Sequence, residues 1–477
     1  MFIDYFSRSL PTAMTEAHPH QPTAFDWPLA FPAEELLREW INSFLQDHSW
    51  ARGLSDRLQQ ETGTDLFEWV DHLTISEREL FQLREVGFLP EKVKAPAGVE
   101  VWFHPQAMLP RVAVMPDGTQ NGASARLTIR TESLVDFIAA HDLPTEIRDR
   151  FGSRLRRATI AVENGFELLA VERLGWRHFV SSEPVPGFVS SIIAAQELWR
   201  TRNRNLASDC DAIKLAFELQ AKAIELVGPD VACELFFAEE RRYWEKRNRA
   251  GQIQKRRQDL LGLGWGNHDH HTFRCSRQFF ADLIRFLLNF GFTKRERYYA
   301  GAEAGWGAQI LEHYSTGITV FADVDLMPEE TEIDFSQQAL PEAPRLRTVG
   351  LWCGLHGDSF LQAGMHHLEA RFEFGALRDQ LAGEGVSTMK PFSDFEFLKQ
   401  AFTEGERWPA DSNRVQRLLD RGLITVEQAE TFRRTGAVGS HLENLQRKGG
   451  FKGFNQKSVS VIIEATDPRA LASASHS

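Results

Sequence analysis

The chain has 477 residues, 42% of them hydrophobic and 25% charged. No apolar run approaches the roughly 18 residues that cross a bilayer. This composition excludes a mainly disordered, a collagen-like and a membrane-embedded chain, and the length implies two to four domains at about 150 residues each. A net charge of −12 excludes a general nucleic-acid binder, which needs a positive field.

Cys210, Cys233, Cys275 and Cys353 are far apart and form no CxxC pair, so neither a disulfide framework nor a zinc finger is expected. The first residues lack the apolar core of a signal peptide, and a reducing cytoplasm is the expected compartment.

Residues 1–30 mix Pro, His and Thr without periodicity and are expected to form a leader. From Pro32, AEELLREWINSFLQ has helical spacing, and short helical pieces continue over Ser55 to Gln60 and Thr64 to Glu68. At Trp69 the texture changes. WVDHLTI is a strand, ERELFQLREVGF a helix, and GVEVWFHP and RVAVM two further strands. A second such unit follows: ARLTIRT, the helix SLVDFIAAHDL, then RRATIAVENG and FELLAVERL as a hairpin, turned by Asn164-Gly165. Long helical patterns fill 188–262. Within them Arg241 to Arg257 is strongly basic, and the expectation is a solvated helix face.

The strand–helix–strand texture returns at Gly266. HDHHTFRC is a strand, QFFADLIRFLLNFGF a helix ending at Gly291, and RERYYAGA, GAQILEH and ITVFADVDL are strands. After an acid- and Pro-rich linker, TVGLWCG is expected at a sheet edge, GMHHLEARFEF as a strand and ALRDQLAGEGV as a helix. A helical insertion is expected at 393–446, and KSVSVIIEATD closes the unit. The chain thus divides into 1–64, a first α+β domain at 65–187, a helical segment at 188–262 and a second α+β domain at 263–470.

Four β-α-β-β units in two pairs form an internal repeat. Asp71-His72-Leu73-Thr74-Ile75 precedes a helix ending Gly87-Phe88, and Asp269-His270-His271-Thr272-Phe273 precedes one ending Gly291-Phe292. LLAVERL, with Glu172, is matched to SVIIEATD, with Glu464. On these residues the chain resembles the vicinal oxygen chelate superfamily, whose paired βαβββ modules wrap a cupped sheet around a metal. The plan is similar to 4-hydroxyphenylpyruvate dioxygenases and two-domain extradiol dioxygenases.

The resemblance implies an α+β fold of paired modules with an added helical segment. It also implies an Fe(II) site built from His270, His367 and Glu464, spaced 97 and 97 residues apart (367 − 270 and 464 − 367). Two imidazoles and one carboxylate leave open positions for a chelating substrate and O₂. His268 and His271 are alternatives to His270, and His366 to His367. Arg274 and Gln309 are expected to bind substrate from neighbouring strands. The first domain carries His72 and Glu172, but its middle position is Arg126, which cannot ligate a metal; Arg126 is expected to pair with Glu172 in a structural half. Phe451 and Phe454, in KGGFKGF, are expected to pack in the core or to stack on a substrate ring.

The implied function is a non-heme iron dioxygenase acting on a 2-oxo acid or a catechol, with O₂ as co-substrate. The 2-oxoadipate dioxygenase/decarboxylase family, which HHTFR resembles, is a near alternative. An isomerase or lyase of the same fold needs a fourth ligand or a base, for which Glu312 or His313 would serve. A non-enzymatic small-ligand-binding protein is the alternative from another class. The helical segment caps the cup, forms a homodimer interface or supplies basic residues to an acidic substrate.

Overall fold

The computed structural model describes residues 27–117, 125–455 and 466–469. Two mixed sheets share one construction. The first holds β1 (Val70–Ser76), β2 (Leu89–Pro90), β3 (Glu100–Phe103), β4 (Arg111–Met115), β5 (Ala125–Arg130), β6 (Leu155–Glu163) and β7 (Phe166–Arg173), in the order β2-β3-β4-β1-β5-β7-β6. The second holds β8 (His268–Arg274), β9 (Phe292–Tyr299), β10 (Trp306–His313), β11 (Thr319–Asp325), β12 (His367–Arg371), β13 (Ser393–Phe395), β14 (Leu398–Phe402), β15 (Glu406–Trp408) and β16 (Ala437–Arg447). Its order is β13-β14-β16-β12-β8-β11-β10-β9, with β15 pairing β16.

In each unit the last strand returns parallel to the first: β1 with β4, β5 with β7, β8 with β11, and β12 with β16. The opening strands of paired units meet antiparallel, β1 against β5 and β8 against β12. This is the paired-module architecture of the vicinal oxygen chelate fold. The β6–β7 turn takes left-handed φ at both Asn164 (50°) and Gly165 (83°), the backbone that the right-handed twist of a tight hairpin requires.

Helices cover the convex faces. Leading the chain are α1 (Phe31–Asp47) and α2 (Ser49–Arg57); α3 (Leu80–Glu85) and α4 (Leu134–Ala140) lie within the first sheet's units. The middle segment is α5 (Phe188–Arg200), α6 (Asp209–Val227), α7 (Pro229–Glu245) and α8 (Arg249–Asp259). It packs on α9 (Phe280–Phe290), whose Phe280, Leu283, Ile284, Phe286, Leu287 and Phe290 are all buried. That spacing puts one apolar stripe on β8 and β11 and another on Trp199 and Phe236. Each such side chain contributes about 1.5–3 kcal/mol by leaving water. The basic run is not simply a solvated face. Arg241 is buried, 3.8 Å from Glu132 and 3.9 Å from Glu234, while Arg256 is exposed and reaches Glu384.

Two expectations are corrected. TVGLWCG is not an edge strand but α10 (Thr348–His356); the buried Asp325 carboxylate accepts from Arg347 N (2.8 Å) and Val349 N (3.1 Å) and caps its first turn, where a negative charge is favoured. α11 (Phe374–Gly383) follows as expected, but 393–446 is helical only in α12 (Ser412–Asp420) and α13 (Val426–Thr435). The rest of that span is β13, β14, β15 and most of β16. β16 is buried on both faces, so it lacks the polar–apolar alternation that marks a half-exposed strand.

The start of α1 meets the segment that follows β16. Ala30 N donates to Gly449 O (2.7 Å), and Gly450 N donates to Glu34 of α1 (3.0 Å). No helix among the described residues is long and apolar enough to cross a membrane.

Candidate metal centre

β8, β12 and β16 lie side by side, and their register sets one row of functional side chains across them. His270 faces Glu369, and Glu369 faces Glu443. Because side chains alternate along a strand, His367, two residues before Glu369, joins the same face. His270 Nε2 lies 2.8 Å from Glu369 Oε1, and His367 Nε2 lies 2.6 Å from the same oxygen and 3.7 Å from Glu443 Oε2. One donor atom from each of His270, Glu369 and Glu443 falls within 4.8 Å of the others. All four side chains are buried.

Three of the four members are held from behind. His270 Nδ1 meets Asp269 Oδ1 at 2.9 Å, and Arg447 clamps Asp269 with two contacts of 3.0 Å. The guanidinium and the imidazole keep the Asp269 carboxyl far below the usual carboxylate range, against its burial. Thr272 Oγ1 donates to Glu369 Oε1 (2.8 Å), and Gln400 Nε2 to Glu443 Oε1 (2.7 Å). Imidazoles oriented by a carboxylate and carboxylates held by donors are the usual support of a metal ligand set.

Two carboxylates buried side by side resist ionising together. Burial raises Glu443 to about 8, and burial with the neighbouring Glu443 charge holds Glu369 well above its ordinary value. Glu369 Oε2 has no hydrogen-bond partner. A cation would relieve this repulsion, and the convergent nitrogen and oxygen donors of His270, Glu369 and Glu443, with His367 Nε2 against Glu369, are of the types that hold a divalent transition metal.

The cavity in front of the row measures about 60 Å³, where one water needs about 10–15 Å³. Its walls include Tyr298, Trp306, Phe321, Phe392, Phe402 and Phe454. At the far end Arg274 is buried, its Nε and Nη1 making no hydrogen bond. The nearest carboxylate is Asp323, at 3.9 Å, and burial raises Asp323 to about 8. A neutral Asp323 leaves the Arg274 charge free to receive an anion.

The structure brings His270, His367 and Arg274 to this cavity. His271 points to the other side, against Phe237, with Nε2 3.3 Å from Arg241. His366 packs its ring on Trp352. Glu464 lies outside the described residues. Gln309 does not line the cavity: its amide donates to the carbonyls of Glu296 (2.9 Å) and Ile310 (3.0 Å), fixing the β9–β10 ladder. Glu312 is paired with Arg295 and Lys452, and His313 Nε2 lies 2.9 Å from Phe290 O, so neither is placed to act as base here. Phe454 sits 5.0 Å from the His270 ring, whereas Phe451 packs on Phe397.

Glu369 and Glu443 are absent from the sequence-based ligand set. The repeat itself carried the signal. β5–β7 and β12–β16 share a register that aligns LLAVER (168–173) with LENLQR (442–447). Arg173 then matches Arg447 and clamps Asp71 beside His72, at 2.6 and 2.8 Å. Thr128 and Leu169 stand where the second sheet has Glu369 and Glu443. Arg126 occupies the position of His367, and it pairs with Glu167 (2.7 Å) rather than Glu172, because the parallel register sets those two opposite. Glu172 is taken by Arg156 (3.1 Å).

No family model matches the sequence. No curated protein matches it. Among solved structures, the chain is similar to a variant of 4-hydroxymandelate synthase from Streptomyces coelicolor (13% identity, 86% of this chain and 99% of that one, TM-score 0.27). It is also similar to a methylmalonyl-CoA epimerase variant from the same organism (13% identity, 38% of this chain and 96% of that one, TM-score 0.21). A third is a glyoxalase/bleomycin resistance protein/dioxygenase superfamily member from Vibrio splendidus 12B01 (9% identity, 21% of this chain and 95% of that one, TM-score 0.16).

Proposed function

We propose that the chain is a non-heme Fe(II) dioxygenase acting on a small 2-oxo acid. The observation that carries this reading is the convergence, in one aromatic-walled cavity, of His270, His367, Glu369 and Glu443 with the unbonded guanidinium edge of Arg274. His270, His367 and the two glutamates would hold the iron. Bound there, iron would supply the electrons that activate O₂ toward a chelated 2-oxo acid.

The chain's own residues do the rest. Arg274 receives the substrate carboxylate by a charge-assisted hydrogen bond, with neutral Asp323 leaving that charge uncontested below about pH 8. Asp269 and Gln400 fix the orientation of His270 and Glu443. Phe321, Phe402 and Phe454 exclude water and restrict the substrate to a few non-hydrogen atoms beyond its chelating end.

The test is protein purified without air, reconstituted with iron, and assayed for oxygen uptake with short 2-oxo acids. About one iron per chain and substrate-dependent oxygen consumption, lost in Arg274→Met, are expected. Iron at that level with no oxygen uptake on any 2-oxo acid or catechol sinks the reading.

One observation favours a second reading. The site has a second carboxylate beyond two imidazoles and one carboxylate, and burial beside the Glu443 charge pushes the Glu369 carboxyl well above its ordinary value. A metal-dependent isomerase or lyase uses such a group to move a proton. Conversion of substrate without oxygen uptake would select it.

A further inference from the structure

A second cavity, of about 420 Å³, lies between the two sheets. The first sheet lines it with Asp71, Arg111, Arg130 and Arg173; the second sheet lines it with His268, Asp269 and Arg371. It is separate from the cavity of the metal cluster, and nothing in the proposed reaction uses it.

Its carboxylates are already satisfied. Asp71 is clamped by Arg173 at 2.6 and 2.8 Å, Asp269 by Arg447, and Glu312 by Lys452 at 3.0 Å. Glu68 lies 3.4 Å from Arg371. Two cations lack a close carboxylate. Arg111 donates to the Arg177 carbonyl (2.6 Å) and lies over the Phe179 ring, but its carboxylates stand off at 3.8 Å (Glu91) and 4.0 Å (Asp71), and Glu91 already has Arg177. The Arg130 guanidinium makes no hydrogen bond and no ion pair among the described residues. The ring of His268 is also in this wall, more than nine-tenths buried, with Nδ1 lacking any hydrogen-bond partner.

A buried charge without a partner is costly, and the cost falls when a counter-ion enters. Burial, together with the neighbouring Arg173 charge, lowers Arg111 to about 9, and burial lowers Arg130. Burial also raises Glu68 to about 7, which thins the negative charge facing the two arginines at neutral pH. We propose that this inter-sheet cavity is a binding site for a compact oxyanion carrying two negative charges, received by Arg130 and Arg111 with His268 Nδ1 supplying a further polar contact. A phosphate and a short dicarboxylate share that chemistry.

Titration calorimetry on the intact, chelator-treated protein tests this, with inorganic phosphate in one arm and succinate in the other. Chloride at matched ionic strength is the control. Heat in either arm identifies the source, and the anion is expected to raise the thermal midpoint of the same protein. Arg130→Met should weaken binding at least about tenfold while leaving the anion-free midpoint unchanged or higher, since Arg130 has no partner to lose. Arg274→Met should leave binding intact. The proposal is overturned if neither anion binds beyond the chloride control, if Arg130→Met binds like wild type, or if Arg274→Met alone removes the heat. That last result would put the anion at the metal cavity.

Discussion

At the scale of single residues, Glu443 has the plainest role. Glu443→Gln keeps the shape and the contact to Gln400 but removes the charge that balances a cation. Metal content after reconstitution should fall from about one ion per chain to under about a tenth, measured by elemental analysis. The neighbouring Glu369→Gln tests whether both carboxylates are ligands. Asp323 gives a pH signature of its own. Its carboxyl is raised to about 8 by burial, so it is neutral below that pH and ionised above. Once ionised it competes for Arg274. The KM for a 2-oxo acid should therefore rise between about pH 7 and about pH 9, and Asp323→Asn should flatten the profile. The same shift has a stability consequence. A carboxyl whose folded pKa is raised contributes stability that is present at low pH and lost as pH rises through about 8. The loss begins above the ordinary value of 3.8 and is complete above about 8, so Asp323→Asn should raise the melting midpoint relative to wild type more at about pH 9 than at about pH 5.

Among elements, β16 carries the most. It brings Glu443 to the cluster and Arg447 to Asp269, and its Gly439 lies under Trp408. A Cβ at Gly439 would stand 1.9 Å from that indole. Gly439→Ala should destabilise the protein by about 1–3 kcal/mol through overpacking, measured by urea unfolding, and should disturb the cluster through the strand. β16 was also the element least legible in the sequence. The opening strand and helix of the first unit in each pair are marked by Asp-His and Gly-Phe, and the hairpin by Asn-Gly, so those elements were readable. A strand buried on both faces has no such mark, and AVGSHLENLQR follows two helices closely enough to be merged with them. The register of β5–β7 and β12–β16 aligns LLAVER with LENLQR, whereas the sequence reading matches it to SVIIEATD, whose Glu464 lies outside the described residues. His270 and His367 were legible because each opens a unit. Gln309 was not distinguishable from a cavity residue by sequence, since only the pleat decides which way its amide points.

For the molecule as a whole, the two sheets are copies with different contents. Each has an Asp-His pair clamped by an arginine from its last parallel strand, Arg173 in one and Arg447 in the other. Removing either arginine strands a buried aspartate. Arg173→Met and Arg447→Met should each cost about 3–5 kcal/mol in stability, read by denaturant unfolding. Only the second should also weaken metal binding, by about 10–100-fold, because only the second sheet adds a pair of glutamates, Glu369 and Glu443, where the first has Thr128 and Leu169. Equal loss of metal in both variants would show that the first sheet is not merely a scaffold.

The contact of the segment after β16 with the start of α1 has a consequence for synthesis. The wall of the metal cavity that Phe454 provides belongs to the segment anchored to α1 through Gly449 and Gly450, and Glu443 lies 173 residues after His270 (443 − 270). At about 5–20 residues per second, a ribosome needs roughly 10–35 s to travel that distance. For the first 99 residues of it (369 − 270) neither glutamate of the row has been made, and Glu443 completes the row last. On the proposed reading, a cation arriving before then would meet an incomplete set of donors, and the cluster would be loaded only after β16 is made.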